Sequence, residues 1–136
     1  MFSQWALSID DAKAIASACK ACAQQNQWNV VIAIVDDGGH LMYLERLDGT
    51  QKASSVIAVE KAKTALLFKR PTLAIETAVK NGRNVMMMLP GATPIEGGLP
   101  LVRDGQFVGA IGISGVQSSE DGIVAAAGVA HFATLA

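Results

Sequence analysis

The segment from Glu96 to Gly115, reading E-G-G-L-P-L-V-R-D-G-Q-F-V-G-A-I-G-I-S-G, constrains the fold more than any other part of the chain. Asp104-Gly105 at its centre tolerates the positive φ angles of a two-residue turn, so the segment predicts a β-hairpin. Strict alternation along the return strand puts Phe107, Gly109, Ile111 and Ile113 on one face. Val108, Ala110, Gly112 and Ser114 fall on the other. A strand with one bulky face and one nearly bare face invites close approach, whether by a packed helix, a second subunit or a ligand.

The rest of the chain supplies a second hairpin and helices to cover both. Ser8-Ile9-Asp10-Asp11 reads as a helix N-cap followed by acidic residues at the positive dipole end. That helix runs to about Gln25, with Ala12, Ile15, Ala16, Cys19, Cys22 and Ala23 as its apolar stripe. Val30 to Val35 is continuously apolar and β-branched, the pattern of a central strand covered on both faces. Asp36-Asp37-Gly38-Gly39 is a turn, and His40 to Arg46 is the return strand. A helix over about Ala53 to Phe68 carries Ala58, Ala62, Ala65, Leu66 and Lys69 on one stripe and stops at Pro71. Thr72 is read as the cap of a shorter helix closed by Asn81-Gly82. Asn84 to Pro94, with Met86-Met87-Met88, gives little local signal. Ser118-Ser119-Glu120-Asp121 caps a last helix whose apolar positions are Ile123, Ala127, Ala130 and Ala133 or Thr134. The expected architecture is an α/β (α+β) domain over residues 1–136, with an antiparallel sheet of hairpins packed by helices in the order α-β-β-α-α-β-β-α.

Charged residues make up only 17% of this chain, against about 25% for soluble domains. A chain of this size exposes much of its surface, so the deficit predicts that part of the surface is hidden in a homo-oligomer. The net charge of −1 and the absence of a Lys/Arg block argue against nucleic-acid binding. No apolar stretch reaches the ~18 residues of a membrane span, and Met1-Phe2-Ser3-Gln4-Trp5 lacks the charged-then-apolar plan of a signal peptide. A cytoplasmic location is therefore expected. Cys19 and Cys22 form a C-x-x-C, but no second ligand pair completes a zinc site and both continue the helix stripe. They read as small core residues.

No catalytic set is identified. His131 follows Ala127 by four residues and reads as a packing or interface residue. His40 opens a strand beside a glycine turn, where it serves either as a polar turn residue or as a metal ligand, haem iron included. Arg46, Lys61 and Thr64 place cations and a hydroxyl near the first hairpin. They suit a carboxylate such as a haem propionate, or else form a solvated face with Glu60. Ser114-Gly115 precede the last helix, where backbone N–H groups can hold an anion. The Met86–Met88 run is core or interface filler, or else a mobile lid or an apolar wall.

Several pieces together resemble the GlcG/HbpS-like family of haem-binding, proposed haem-degrading proteins, which includes the C-terminal domain of PduO-type cobalamin adenosyltransferases. They are Val35-Asp36-Asp37-Gly38-Gly39-His40-Leu41, Arg46-Leu47-Asp48-Gly49, Ala62-Lys63-Thr64-Ala65, Gly97-Gly98-Leu99-Pro100-Leu101, and Val108 to Gly115 followed by Asp121. The resemblance covers nearly the whole chain. It implies an α/β sandwich, a dimer or larger homo-oligomer, and haem as the cofactor. The resulting candidates are Arg46, Lys61, Thr64, Gly98 and Ser114 as ligand-binding residues and His40 as the metal ligand. Two functions follow as expectations. One is an oligomeric haem or tetrapyrrole-binding protein. The other is an accessory protein or enzyme of small carboxylate or diol metabolism (glycolate, propanediol or glycerol, cobalamin-linked) that binds a small anion.

Overall fold

Two hairpins, joined through their inner strands, build the sheet. The computed structural model describes residues 1–136. Its elements are α1 (Ile9–Gln25), β1 (Val31–Val35), β2 (Leu41–Arg46), α2 (Ser54–Leu67), α3 (Thr72–Lys80), β3 (Gly98–Arg103), β4 (Gln106–Ser114) and α4 (Ser118–Phe132). One 3-10 turn, Asn84–Met88, occupies the segment without a clear pattern. The sheet is antiparallel, in the order β2-β1-β4-β3. The two most apolar strands are therefore central, as their sequences require. No helix is long and apolar enough to cross a membrane.

Local chemistry explains the elements. Ser8 Oγ accepts the Asp11 N–H and Asp11 Oδ2 accepts the Ser8 N–H, both at 3.0 Å, which closes a capping box on α1. Asp104 and Gly105 take φ of 51° and 76°, the left-handed pair that a type I′ turn needs. Asp36 Oδ1 accepts the backbone N–H groups of Gly38 and His40 at 2.9 Å each and fixes the β1–β2 turn. Burial pushes the Asp36 carboxyl up, but those two amides and the His40 ring outweigh it and hold the group below its ordinary value.

The layers are α2 on one sheet face and α1 with α4 on the other. The largest core lies under α1 and α4, where Ile15, Ile32, Ile34, Ile111, Ile113 and Phe132 interdigitate. The α2 side is thin. Val31, Ala33, Val35 and Ala110 meet Ala58, Ala62 and Ala65 there. Gly98 pairs with Gly112 across β3 and β4 directly beneath α2. A Cβ at Gly112 would collide with the Ala58 carbonyl and lie 2.7 Å from the Ala62 nitrogen. The occupant of the bare strand face is thus the α2 backbone.

Three expectations are corrected. Leu101 pairs with Gly109 but Val102 pairs with Phe107, so Val108 is an extra residue in a β-bulge. The bulge reverses alternation: Val108 joins the α1/α4 core with Ile111 and Ile113, and Phe107 moves to the α2 side. Thr72 is not a cap. Its Oγ1 accepts the Gly98 N–H at 2.9 Å, tying α3 to β3, and Pro71 stands at the cap position. On α4 the buried residues are Asp121, Val124, Ala125, Gly128 and Phe132. The stripe through Ile123, Ala127 and Ala130 turns outward, with Ile123 and Ala130 exposed. Both stripes have helical spacing, and only packing against α1 selects one.

Candidate functional site

The turn end of the sheet carries a groove with apolar walls and a cation. The β1–β2 turn, the end of α2 and the β3–β4 turn meet there around a groove of about 380 Å³. Leu66, Leu67, Phe107 and Phe2 supply apolar wall, and Lys69 and Asp37 supply charge. Lys69 follows the end of α2 with φ of 54°, and its Nζ lies 5.4 Å from the centre of the Phe107 ring. The N-terminal segment straps this end together. Gln4 Nε2 donates to Asp37 Oδ2 at 2.9 Å, and Trp5 Nε1 donates to Asp104 Oδ2 at 3.1 Å.

His40 lies in the β1–β2 turn that also carries Asp37, outside the groove's lining. Its side chain is 82% exposed, with Nδ1 3.2 Å from Asp36 Oδ1. Gly39 beside it adjoins the groove wall, where a Cβ would touch Leu66 and Leu67 at 3.8 Å. An imidazole that gives its Nδ1–H to a carboxylate presents the Nε2 lone pair outward, the arrangement that suits a metal ligand.

The other predicted site residues lie elsewhere. Lys61 is 2% exposed. Its Nζ donates to the Ile113 carbonyl at 3.0 Å and to Asp121 Oδ2 at 3.1 Å. Asp121 Oδ1 accepts the Val116 N–H at 3.2 Å. Burial pushes the Asp121 carboxyl above its ordinary value despite the opposing pull of Lys61. Thr64 is buried, and its Oγ1 accepts the Thr93 N–H at 2.9 Å, which anchors the loop before β3. Gly98 lies against the Lys61 carbonyl, where a Cβ would collide. Ser114 is buried too, its Oγ donating to Ser54 Oγ at 3.0 Å. Arg46 and Ser114 flank Val31 in register, but Arg46 is exposed on the outer strand while α2 covers Ser114. Lys61, Thr64, Gly98 and Ser114 therefore surround the α2–sheet contact, and Arg46 and His40 stand apart from them.

Lys69, Phe107 and Asp121 were not marked as site residues in the sequence. Lys69 read as part of a helix stripe, and the bulge that redirects Phe107 leaves no local trace. Asp121 sits in the first turn of a helix, where an acid is expected for capping alone.

Comparison with known proteins decides the family. The model of the family described as haem degrading protein HbpS-like matches residues 7–130. The chain belongs to the HbpS-like family. It is 46% identical to protein GlcG of Escherichia coli strain K12 over 108 residues, covering 79% of this chain and 81% of that protein. Protein ORFY of Klebsiella pneumoniae, a DUF336 structure, superposes with a TM-score of 0.91 at 27% identity, covering 99% of this chain and 97% of that one. The PduOC:haem complex superposes with a TM-score of 0.85 at 31% identity, covering 93% of this chain and 95% of that one. These HbpS-like structures share the α+β architecture seen here, four helices around a four-stranded antiparallel sheet.

Proposed function

We propose that this HbpS-like protein binds haem or a related tetrapyrrole in the groove beside His40, as a homo-oligomer. The observation that carries the reading is the exposed imidazole held through Nδ1 by Asp36, in the same turn as Asp37, which lines a groove with apolar walls. A haem needs an axial donor, apolar cover for its faces and cations for its propionates. His40 Nε2 suits the first, Leu66, Leu67 and Phe107 the second, and Lys69 the third. The residues present therefore fit the group. The likeness to a PduOC:haem complex supports the same ligand class. When bound, haem would supply a redox-active iron, and His40 is the residue that would hold it. The chain's own part is to orient the imidazole, shield one tetrapyrrole face from water and neutralise a carboxylate.

Haemin titration followed by the Soret band tests this. The band is expected to shift and to saturate near one haem per chain. His40→Ala should weaken binding at least tenfold, about 1.4 kcal/mol. His131→Ala should do much less, because that residue lies half-buried on α4, away from the groove. A larger effect from His131→Ala, or no saturable Soret change in the native chain, would overturn the proposal.

A further inference from the structure

A second concave site lies at the opposite end of the sheet, where β1 begins and β2 ends. We propose that it binds an uncharged, hydroxyl-rich small molecule of the size of a monosaccharide or short polyol. The cleft encloses about 400 Å³, within the ~300–1,000 Å³ of small-molecule sites. Its walls come from the last turns of α1, from Trp28 and Asn29 before β1, and from the end of β2 with the loop after it. Only two of its nine lining residues are hydrophobic, so an apolar ligand such as the tetrapyrrole is not what it fits.

The lining charges cancel, Lys20 and Arg46 against Glu45 and Asp48. An anion or a cation gains nothing overall from such a lining, whereas a neutral ligand needs neighbouring donors and acceptors. Gln24, Gln27 and Asn29 offer both as amides, and Asp48 offers acceptors. None of these four side chains is engaged in a hydrogen bond within the chain, whereas Glu45 is held on both oxygens. Lys20 Nζ donates to Oε2 at 2.7 Å and the Tyr43 hydroxyl donates to Oε1 at 3.0 Å. The half-buried Trp28 adds an aromatic surface for the C–H faces of a sugar.

The walls are also held in place. Gln27 takes φ of 59°, which turns the chain sharply out of α1 into Trp28. Thr50 Oγ1 donates to the Leu47 carbonyl at 2.7 Å and lies 3.2 Å from the Val30 carbonyl, pinning the loop that carries Asp48. A site whose walls are set before binding loses less entropy when the ligand arrives.

The test uses the full chain with Trp5→Phe, which leaves Trp28 as the only tryptophan. Its emission is titrated with glucose, galactose and glycerol, with glycine and acetate as zwitterionic and anionic probes. The expected result is a saturable change with at least one neutral probe, with amide shifts confined to residues near 27–29 and 45–49. Asp48→Ala and Gln27→Ala, both at exposed positions, should weaken it at least tenfold with unchanged circular dichroism. Haemin binding should be unaffected by either variant. The proposal is overturned if no neutral probe saturates, if only glycine or acetate does, or if the affinity survives Asp48→Ala.

Discussion

Lys61 and Asp121 show at the scale of single residues how a buried charge is tolerated. Each loses its hydration, and each is left with a small set of partners: Ile113 O, Val116 N–H and one another. Removing one member strands the other, which typically costs about 3–5 kcal/mol. Lys61→Met should therefore lower chemical-denaturation stability by about that amount. Adding Asp121→Asn should recover most of the loss, because it removes the stranded charge and keeps Oδ1 for Val116. A harmless Lys61→Met would show that the pair contributes little. The pH dependence has a definite sign. The folded Asp121 carboxyl binds its proton at higher pH than the unfolded one, whose ordinary value is 3.8. Stability from this group is therefore greatest below that value and falls as pH rises through the window up to the folded pKa. In Lys61→Met that window should extend further upward, visible as a steeper loss of stability with rising pH. Cys19 is a contrasting buried residue. Burial, then the neighbouring Cys22, pushes its thiol up to about 12, so it is an inert core group.

The relation of α2 to the sheet governs the scale of the elements. The bare face of β4 and the paired glycines let the α2 backbone come close enough for Lys61 to reach across to Ile113. The obstacle to any side chain at Gly112 is backbone on α2, which cannot swing aside as a flexible side chain would. Gly112→Ala is expected at or beyond the upper end of the about 1–3 kcal/mol of overpacking, and Gly112→Val should fail to give a cooperative thermal transition. Unchanged melting of Gly112→Ala would mean that α2 can lift at little cost. Lys61, Thr64, Gly98 and Ser114 were expected, with Arg46, to bind a ligand. They share one location, but that location is a packed contact between layers. The bulge at Val108 was illegible, because an extra residue in a strand is defined by the partner strand, which local alternation cannot report.

At the scale of the whole molecule, large apolar side chains stand exposed. Val56, Val85, Met87, Met88 and Ile123 are all more than half exposed. The Met86–Met88 run contributes nothing to the core, since no residue of its 3-10 turn is buried. With so few charges to solvate it, such a surface favours self-association. Light scattering at micromolar concentration should give at least a dimer, and Met87→Asp with Met88→Asp should reduce its mass. A clean 14.2 kDa particle for the native chain would overturn the oligomer.

Turn chemistry and hydrophobic period act over a few residues, so the hairpins, the central strands, the helix order and the family resemblance are all legible along the chain. His40 and the glycine turn beside it are legible there too. Packing in the folded chain selects which of two equally periodic stripes of α4 faces inward, and which side of the sheet Phe107 joins. Packing likewise brings Lys61 to Asp121, sixty residues away in the chain, in place of solvent or ligand. Burial, register and charge pairing belong to surfaces that meet only after folding, and no local pattern encodes the partner.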